Sequence, residues 1–122
     1  MFPILFRYAS YLLKTNTSRS REAIRWADYA LDNKQNWSGR EYEANVFSLY
    51  EIKSKAAYRL WVNAEQKWTA YRTENHLIAA NKYRGTAKNY AREWLDYARA
   101  AGKDTAEAKA ICESVGDVDF CK

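Results

Sequence analysis

The sequence predicts an all-α protein. Its 122 residues include only 4 glycines and 1 proline, which is too few breakers for a loop-rich scaffold or a Greek-key β domain. Alanine, arginine, lysine, glutamate and leucine are frequent, and all of them favour helices. Valine occurs only at positions 46, 62, 115 and 118, so runs of β-branched residues are absent. We therefore expect about five helices, one or two of them unusually long, in a single domain or in a fragment of a longer repeat array.

The first two helices are short. Apolar residues at helical spacing predict a helix over residues 3–15, and its stripe consists of Leu5, Tyr8, Ala9 and Leu12. Ser18 or Ser20 is suited to accept backbone N–H bonds at the start of a second helix, which ends near Asn33. Together these helices form the expected first hairpin, about residues 3–33.

A much longer third helix begins near Arg40. Ser38 and Glu41 have the spacing of a capping box, and neither Gly nor Pro follows until Gly85. Apolar residues keep a helical period as far as Tyr71. At about 1.5 Å per residue, this helix is expected to be about 45 Å long.

A fourth long helix and a short closing helix complete the chain. Thr73 is suited to cap the fourth helix, which runs to Ala101, and Gly102 stands where a C-terminal stop is expected. Asp104 and Glu107 form a second capping box, which opens a helix to about residue 114. The expected boundaries are about 40–101 for the second hairpin and 104–122 for the closing helix and tail.

The only two cysteines, Cys112 and Cys121, lie in the last eleven residues. Their spacing fits no zinc signature, and His76 is the single histidine. A disulfide between them would hold the polar tail on the last helix and would imply an oxidising compartment, for which the cell envelope is favoured over the cytoplasm. Two free thiols in a cytoplasmic chain are the alternative.

Charge is distributed unevenly along the chain. Residues 1–103 carry 18 basic and 10 acidic side chains, whereas residues 104–122 carry 2 and 5. A basic body suggests nucleic-acid binding as an alternative function, with tyrosines to stack on bases. The residues concerned are Lys53, Lys55, Arg59, Lys82, Tyr83, Arg84, Lys88, Tyr90 and Arg92. Interspersed acids, and the charge that any helix surface needs, weaken this interpretation.

An internal repeat is the most informative feature of the sequence. The octet at 23–30, AIRWADYA, returns at 91–98 as AREWLDYA, with five of eight positions identical and an offset of 68 residues. Midway, Ala57 and Ala64 are again seven residues apart, with Leu60 between them. Small residues seven apart share a helix face and let two helices approach closely. The predicted packing residues are Ala23, Trp26, Ala30, Ala57, Leu60, Ala64, Ala91, Trp94 and Ala98.

On these residues the chain resembles the tetratricopeptide-repeat (TPR) family, whose repeats are 34-residue helical hairpins with small packing residues. The resemblance rests on Ala9 followed by Leu12, Ala57 followed by Leu60, and the alanines of the two octets. The usual Gly of the first helix is Ala here, and the hairpins lack a terminal Pro. The resemblance implies two TPR-like antiparallel hairpins, the second built from lengthened helices, and a closing helix.

The 19 aromatic residues point to a protein-binding surface. On the third helix Tyr58, Trp61 and Glu65 share one face, with Ser54 one turn earlier. The TPR resemblance places the first helix of each hairpin along a groove that binds a partner polypeptide. The candidate groove residues are Phe6, Ser10, Lys14, Ser54, Tyr58, Trp61 and Glu65.

The sequence offers no support for catalysis. The four glycines are isolated, so a phosphate-binding loop is absent, and neither a catalytic triad nor a metal-ligand set can be assembled. His76 stands alone and is expected to be a surface or packing residue. We therefore expect a non-enzymatic scaffold or adaptor subunit without cofactor, metal or transmembrane segment, whose partner is a protein or a neighbouring repeat. A helical ligand carrier with an aromatic cavity is a further alternative.

Overall fold

A computed structural model describes residues 19–33 and 39–122 of the chain. Within these ranges every regular element is a helix and there is no strand, so the all-α prediction is confirmed. The four described helices are α1 (Ser20–Asp32), α2 (Gly39–Tyr71), α3 (Glu74–Ala100) and α4 (Ala106–Val115). The predicted helix over residues 3–15 and the predicted cap Ser38 lie outside the described residues.

Helices α2 and α3 form a long antiparallel hairpin. Only Arg72 and Thr73 connect them, and the Oγ1 atom of Thr73 accepts a hydrogen bond from the backbone N–H of His76 at 3.4 Å. At the other end of α3, Gly102 adopts a φ of 69°, and Lys103 N–H donates to the carbonyl of Ala98 at 2.8 Å. A positive φ is the usual way to end a helix, and glycine adopts it without steric cost.

Helix α1 packs against the first half of α2 through alanines. Ala23, Ala27 and Ala30 are fully buried and form a cluster with Leu49, Ile52 and Ala56 of α2. Because these side chains are small, the two helix backbones can approach closely. Asp28 of α1 pairs with Lys53 of α2, and Arg21, nearer the start of α1, lies beside Leu60 and Lys67 further along α2, so the two helices are antiparallel.

The second half of α3 packs on the same part of α2. Trp94, Leu95 and Ala91 are buried there, and Phe47 and Tyr50 of α2 pack against them. Helices α1 and α3 therefore both run antiparallel to α2 and parallel to each other.

Helix α4 and the tail fold back along α3. Ala108 and Cys112 of α4 are buried in the same cluster as Trp94, and Cys121 is joined to Cys112 by a disulfide with a Cα–Cα distance of 5.9 Å. The predicted capping box at the start of α4 forms only in part. Asp104 Oδ1 accepts from Ala106 N–H at 3.0 Å, whereas the Glu107 carboxylate turns to Lys55 at 2.9 Å.

The far part of the long hairpin is the least covered part of the described molecule. Within residues 62–86, which we call the distal hairpin, only Ala64 and Ala80 are buried. Both are small residues. None of the described helices is long and apolar enough to cross a membrane.

Candidate partner-binding surface

An open depression lies on α2 where α4 ends. Tyr58, Trp61 and Glu65 line it, as do four further residues of the same helix, Val62, Gln66, Thr69 and Ala70. Its volume is about 500 Å³. We call it the aromatic depression. The rings of Tyr58 and Trp61 are 5.8 Å apart and tilted by 55°, so they form one continuous apolar wall.

One edge of the aromatic depression is built into the core. Tyr58 and Trp61 pack against a core cluster of Ala57, Ala87 and Val115, and Ile111 of α4 packs against the same cluster. The rings are half-buried and held in place by these contacts. A rigid aromatic surface loses little side-chain entropy when a partner binds, which is why Tyr and Trp are common at interfaces.

The indole N–H of Trp61 is a polar group left unpaired. Its Nε1 atom is shielded from solvent and has no hydrogen-bond partner within the part of the chain that the structure describes. Buried Trp N–H groups ordinarily find an acceptor. The Nε1 atom of Trp94 in the core is likewise buried and unpaired within the described residues, so this feature does not by itself mark a binding site.

Ser54 does not belong to this surface. Its side chain is fully buried, and its Oγ donates a hydrogen bond to the carbonyl of Tyr90 at 2.8 Å. The sequence-based placement of Ser54 beside Tyr58 in a groove therefore needs correction. At about 100° per residue, Ser54 and Tyr58 are rotated by about 40° around the helix, which turns Ser54 into the contact with α3.

Of the other predicted groove residues, only one lies within the part of the chain that the structure describes. Glu65 lines the aromatic depression as predicted from its spacing. Phe6, Ser10 and Lys14 lie outside the described residues. Val62 and Thr69 were missed by the sequence analysis, although their spacing of four and eleven residues from Tyr58 places them on the same helix face.

All six predicted packing alanines are buried, but the two repeated tryptophans have different surroundings. Trp94 is only 2% exposed, with the ring of Phe47 6.1 Å away. Trp26 is half-buried and contacts Tyr29 edge-on at 6.0 Å. Leu60 is likewise half-buried. The alanines of both octets are thus buried, whereas the aromatic residues of the two octets are covered differently.

Lys53 links the two octets. Its side chain is nearly buried, and its Nζ lies 2.6 Å from Asp28 Oδ1 of α1 and 3.9 Å from Glu93 Oε2 of α3. Burial of the ammonium group acts to lower the pKa of Lys53, but the hydrogen bond to Asp28 and the charges of Asp28 and Glu93 outweigh it, so the pKa is raised. Burial and the same two carboxylates raise the pKa of Tyr90, whose ring lies 4.2 Å from the ammonium.

Most of the cations proposed for nucleic-acid binding are engaged within the protein. Lys55 pairs with Glu51 at 2.5 Å and with Glu107. Burial acts to lower the pKa of Lys55, and these two carboxylates outweigh it and raise the pKa.

The cations of α3 hold the tail. Arg84 donates to the carbonyl of Val115 at 2.9 Å, Arg92 to that of Phe120 at 2.7 Å, and Arg99 to those of Cys121 and Lys122. The ammonium of Lys88 lies 4.2 Å from the ring centroid of Phe120. We call these four α3 residues the tail clamp. Each of these cations contacts a main-chain carbonyl or an aromatic face of α4 or the tail.

His76 lies at the start of α3, away from any acid–base partner among the described side chains. Its ring is 5.3 Å from that of Tyr71. The described residues contain no cluster of His, Cys, Asp or Glu side chains that could hold a metal ion.

Comparisons with known proteins found no relative of this chain. No protein-family model matches the chain, and neither the curated proteins nor the solved structures give a significant match.

Proposed function

We propose that this chain is a non-catalytic protein-binding module, a scaffold or adaptor subunit whose docking surface is the aromatic depression. The observation that carries the proposal is the pair Tyr58 and Trp61, which packs on one side against a core cluster that includes Val115 of α4 and lines an open depression on the other. Buried aromatic residues with a polar handle typically dominate interface energetics.

The shape of the surface supports an extended or helical segment of the partner. The depression follows one face of α2 from Tyr58 to Ala70, a distance of about 18 Å at about 1.5 Å per residue. That length suits three turns of an amphipathic helix laid along the groove.

A TPR-like arrangement remains part of the proposal. Antiparallel pairing of α1 with α2 and of α2 with α3 through buried alanines supports it. A short helical array exposes an apolar face that a neighbouring repeat or subunit covers. The disulfide between Cys112 and Cys121 supports an oxidising compartment such as the bacterial envelope.

Site-specific photocrosslinking tests the docking surface. A benzophenone amino acid replaces the exposed Gln66 within the depression, and in a matched protein it replaces Tyr29, an exposed residue of α1. In extracts of the native organism we expect discrete protein adducts from position 66 only. Excess unlabelled wild-type protein should suppress them, and excess Trp61→Ala protein, once shown to be folded by circular dichroism, should not. Equal adducts from both positions, or equal competition by both proteins, would refute the proposal.

A further inference from the structure

A second concavity lies on the opposite side of α2 from the aromatic depression. It has a volume of about 320 Å³ and lies where the start of α1 meets the distal hairpin. Its polar lining comes from Arg21, Asn63, Lys67, His76 and Tyr83, and its apolar floor from Leu60, Ala64 and Ala79. We call it the basic pocket.

The charged side chains that line the basic pocket are all positive. Arg21 and Lys67 are the charged residues of its lining, and no carboxylate lines it. Lys82 adds a third cation nearby, because its ammonium lies 5.8 Å from the centroid of the Tyr83 ring. The described ion pairs leave these three cations without a carboxylate partner.

The parts of the chain outside the described ranges do not supply the missing charge. Residues 1–18 and 34–38 contain no Asp or Glu. Residues 41 and 43 lie near the other end of α2, and residue 43 is about 25 Å from Leu60 along the helix axis at about 1.5 Å per residue. An anion in the pocket must therefore come from another molecule.

Tyr83 organises the donors of the pocket. The guanidinium of Arg21 lies over its ring at 5.4 Å and donates a hydrogen bond to its hydroxyl oxygen. Because that oxygen accepts from Arg21, the hydrogen of the hydroxyl remains available to a ligand. Arg21 also keeps further N–H groups, and Lys67 and Asn63 add an ammonium and an amide.

We propose that the basic pocket binds a carboxylate side chain of an acidic polypeptide segment. Charged and amide donors above an apolar floor suit an anion carried on a short apolar stem, as in Glu. A phosphate backbone would instead require a track of cations, and along α3 such a track is interrupted because the tail clamp uses Arg84, Lys88 and Arg92 internally. The inference shares with the proposed function only the assumption that the ligand is a polypeptide, since it concerns a different face.

Fluorescence anisotropy with three labelled probes tests the proposal at low salt. The probes are a dodecapeptide of alternating Glu and Ala, the same peptide with Gln for Glu, and dodecathymidylate. We expect the Glu peptide to bind at least about tenfold more tightly than the Gln peptide, because a charge-assisted hydrogen bond is stronger than a neutral one. We also expect it to bind more tightly than the oligonucleotide.

Variants locate the binding. Arg21→Gln and Lys67→Gln should each lower the affinity for the Glu peptide by about threefold to tenfold. Lys109→Gln, which removes an exposed charge from α4, should change that affinity by less than about twofold. Trp61→Ala should also leave it unchanged, which separates this site from the aromatic depression.

Four results would overturn the inference. The first two are that the Gln peptide binds as tightly as the Glu peptide, and that the Glu peptide does not bind at all. The other two are that Lys109→Gln lowers the affinity for the Glu peptide as much as Arg21→Gln does, and that Trp61→Ala lowers it. Tighter binding of the oligonucleotide, weakened by Arg21→Gln, would assign the pocket to nucleic acid instead.

Discussion

The ammonium Nζ of Lys53 lies 2.6 Å from Oδ1 of Asp28, so a nearly buried cation of α2 is paired with a carboxylate of α1. Glu93 of α3 approaches the same ammonium from the other side at 3.9 Å. The pair therefore ties together two segments that are far apart in the chain. Such a pair is costly to break by removing one partner, because the other charge is left without compensation.

Alkaline pH should weaken the folded state through this site. The pKa of Lys53 is raised above its ordinary 10.5 in the folded protein, and that of Tyr90 above its ordinary 10.0. The unfolded chain therefore loses these protons first, and the free energy of unfolding falls as pH rises past the ordinary values towards the raised ones. Urea unfolding followed by circular dichroism from about pH 8 to about pH 11 measures this slope.

Lys53→Met supplies the comparison for the alkaline slope. It removes the titrating ammonium and should give a shallower decline in unfolding free energy, while Lys109→Met, at an exposed site of α4, should keep the wild-type slope. Identical slopes in all three proteins would mean that the Lys53–Asp28 pair does not persist in solution.

Loss of the disulfide should reduce stability by about 2–3 kcal/mol. The bond closes a loop with a sequence separation of 9 residues, and the stabilisation expected from restricting the unfolded chain is of this size. The Cys112→Ser, Cys121→Ser double variant should show the decrease in urea unfolding, and mass spectrometry after alkylation without reductant should detect no modified thiol in the wild type. Two alkylated cysteines in protein purified without reductant would contradict the structure.

Removal of the Arg92 side chain should release the tail. Arg92→Met eliminates the donor to the Phe120 carbonyl and also the ion pair with Asp96, whose Nε–Oδ1 distance is 3.0 Å. We expect faster hydrogen exchange over residues 117–122, measured by mass spectrometry. Asp96→Asn removes only the ion pair and should leave the tail protected. Unchanged exchange in the Arg92→Met protein would show that Arg92 is not needed to hold the tail beside the disulfide, Lys88 and Arg99.

Ser54→Ala should destabilise the hairpin without affecting partner binding. The change removes the donor to the Tyr90 carbonyl in a fully buried position, which typically costs about 1 kcal/mol. Trp61→Ala, in contrast, should abolish the photocrosslinked adducts. Loss of those adducts in a folded Ser54→Ala protein would return Ser54 to the binding surface.

Enlarging a packing alanine should be poorly tolerated. Ala27 is fully buried between α1 and α2, so Ala27→Leu should lower the free energy of unfolding by about 1–3 kcal/mol through overpacking. Ala100→Leu adds the same atoms at an exposed position of α3 and should change it by less than about 0.5 kcal/mol. Thermal unfolding of the two proteins checks the difference.

Helix boundaries were readable from the sequence where the local signals were strong. Thr73 and Gly102 mark the ends of α3 because a capping hydroxyl and a residue at positive φ act locally. The long uninterrupted span that became α2 followed from the lack of Gly and Pro. These signals do not depend on the rest of the fold.

The tertiary environment was harder to predict. The periodicity of α2 showed that Ser54 and Tyr58 are neighbours, but not that α3 covers one and leaves the other beside a depression. The same limit applies to Arg92, which looked like a solvent-facing cation and contacts the tail 28 residues later. The Cys112–Cys121 pairing stayed open because spacing alone does not distinguish a disulfide from two thiols.

The other described helices pack on only one part of the α2–α3 hairpin, so its rigidity should differ between its two ends. Around Leu49 and Leu95 the two helices are flanked by α1 and α4, whereas around Tyr71 and Ile78 the described helices support only each other and both side chains are more than half exposed. Amides near the turn should consequently open more often than those near the disulfide. A ligand bound to the distal hairpin would then contact the part of the protein that opens most readily, while the end of the hairpin near the disulfide stays rigid.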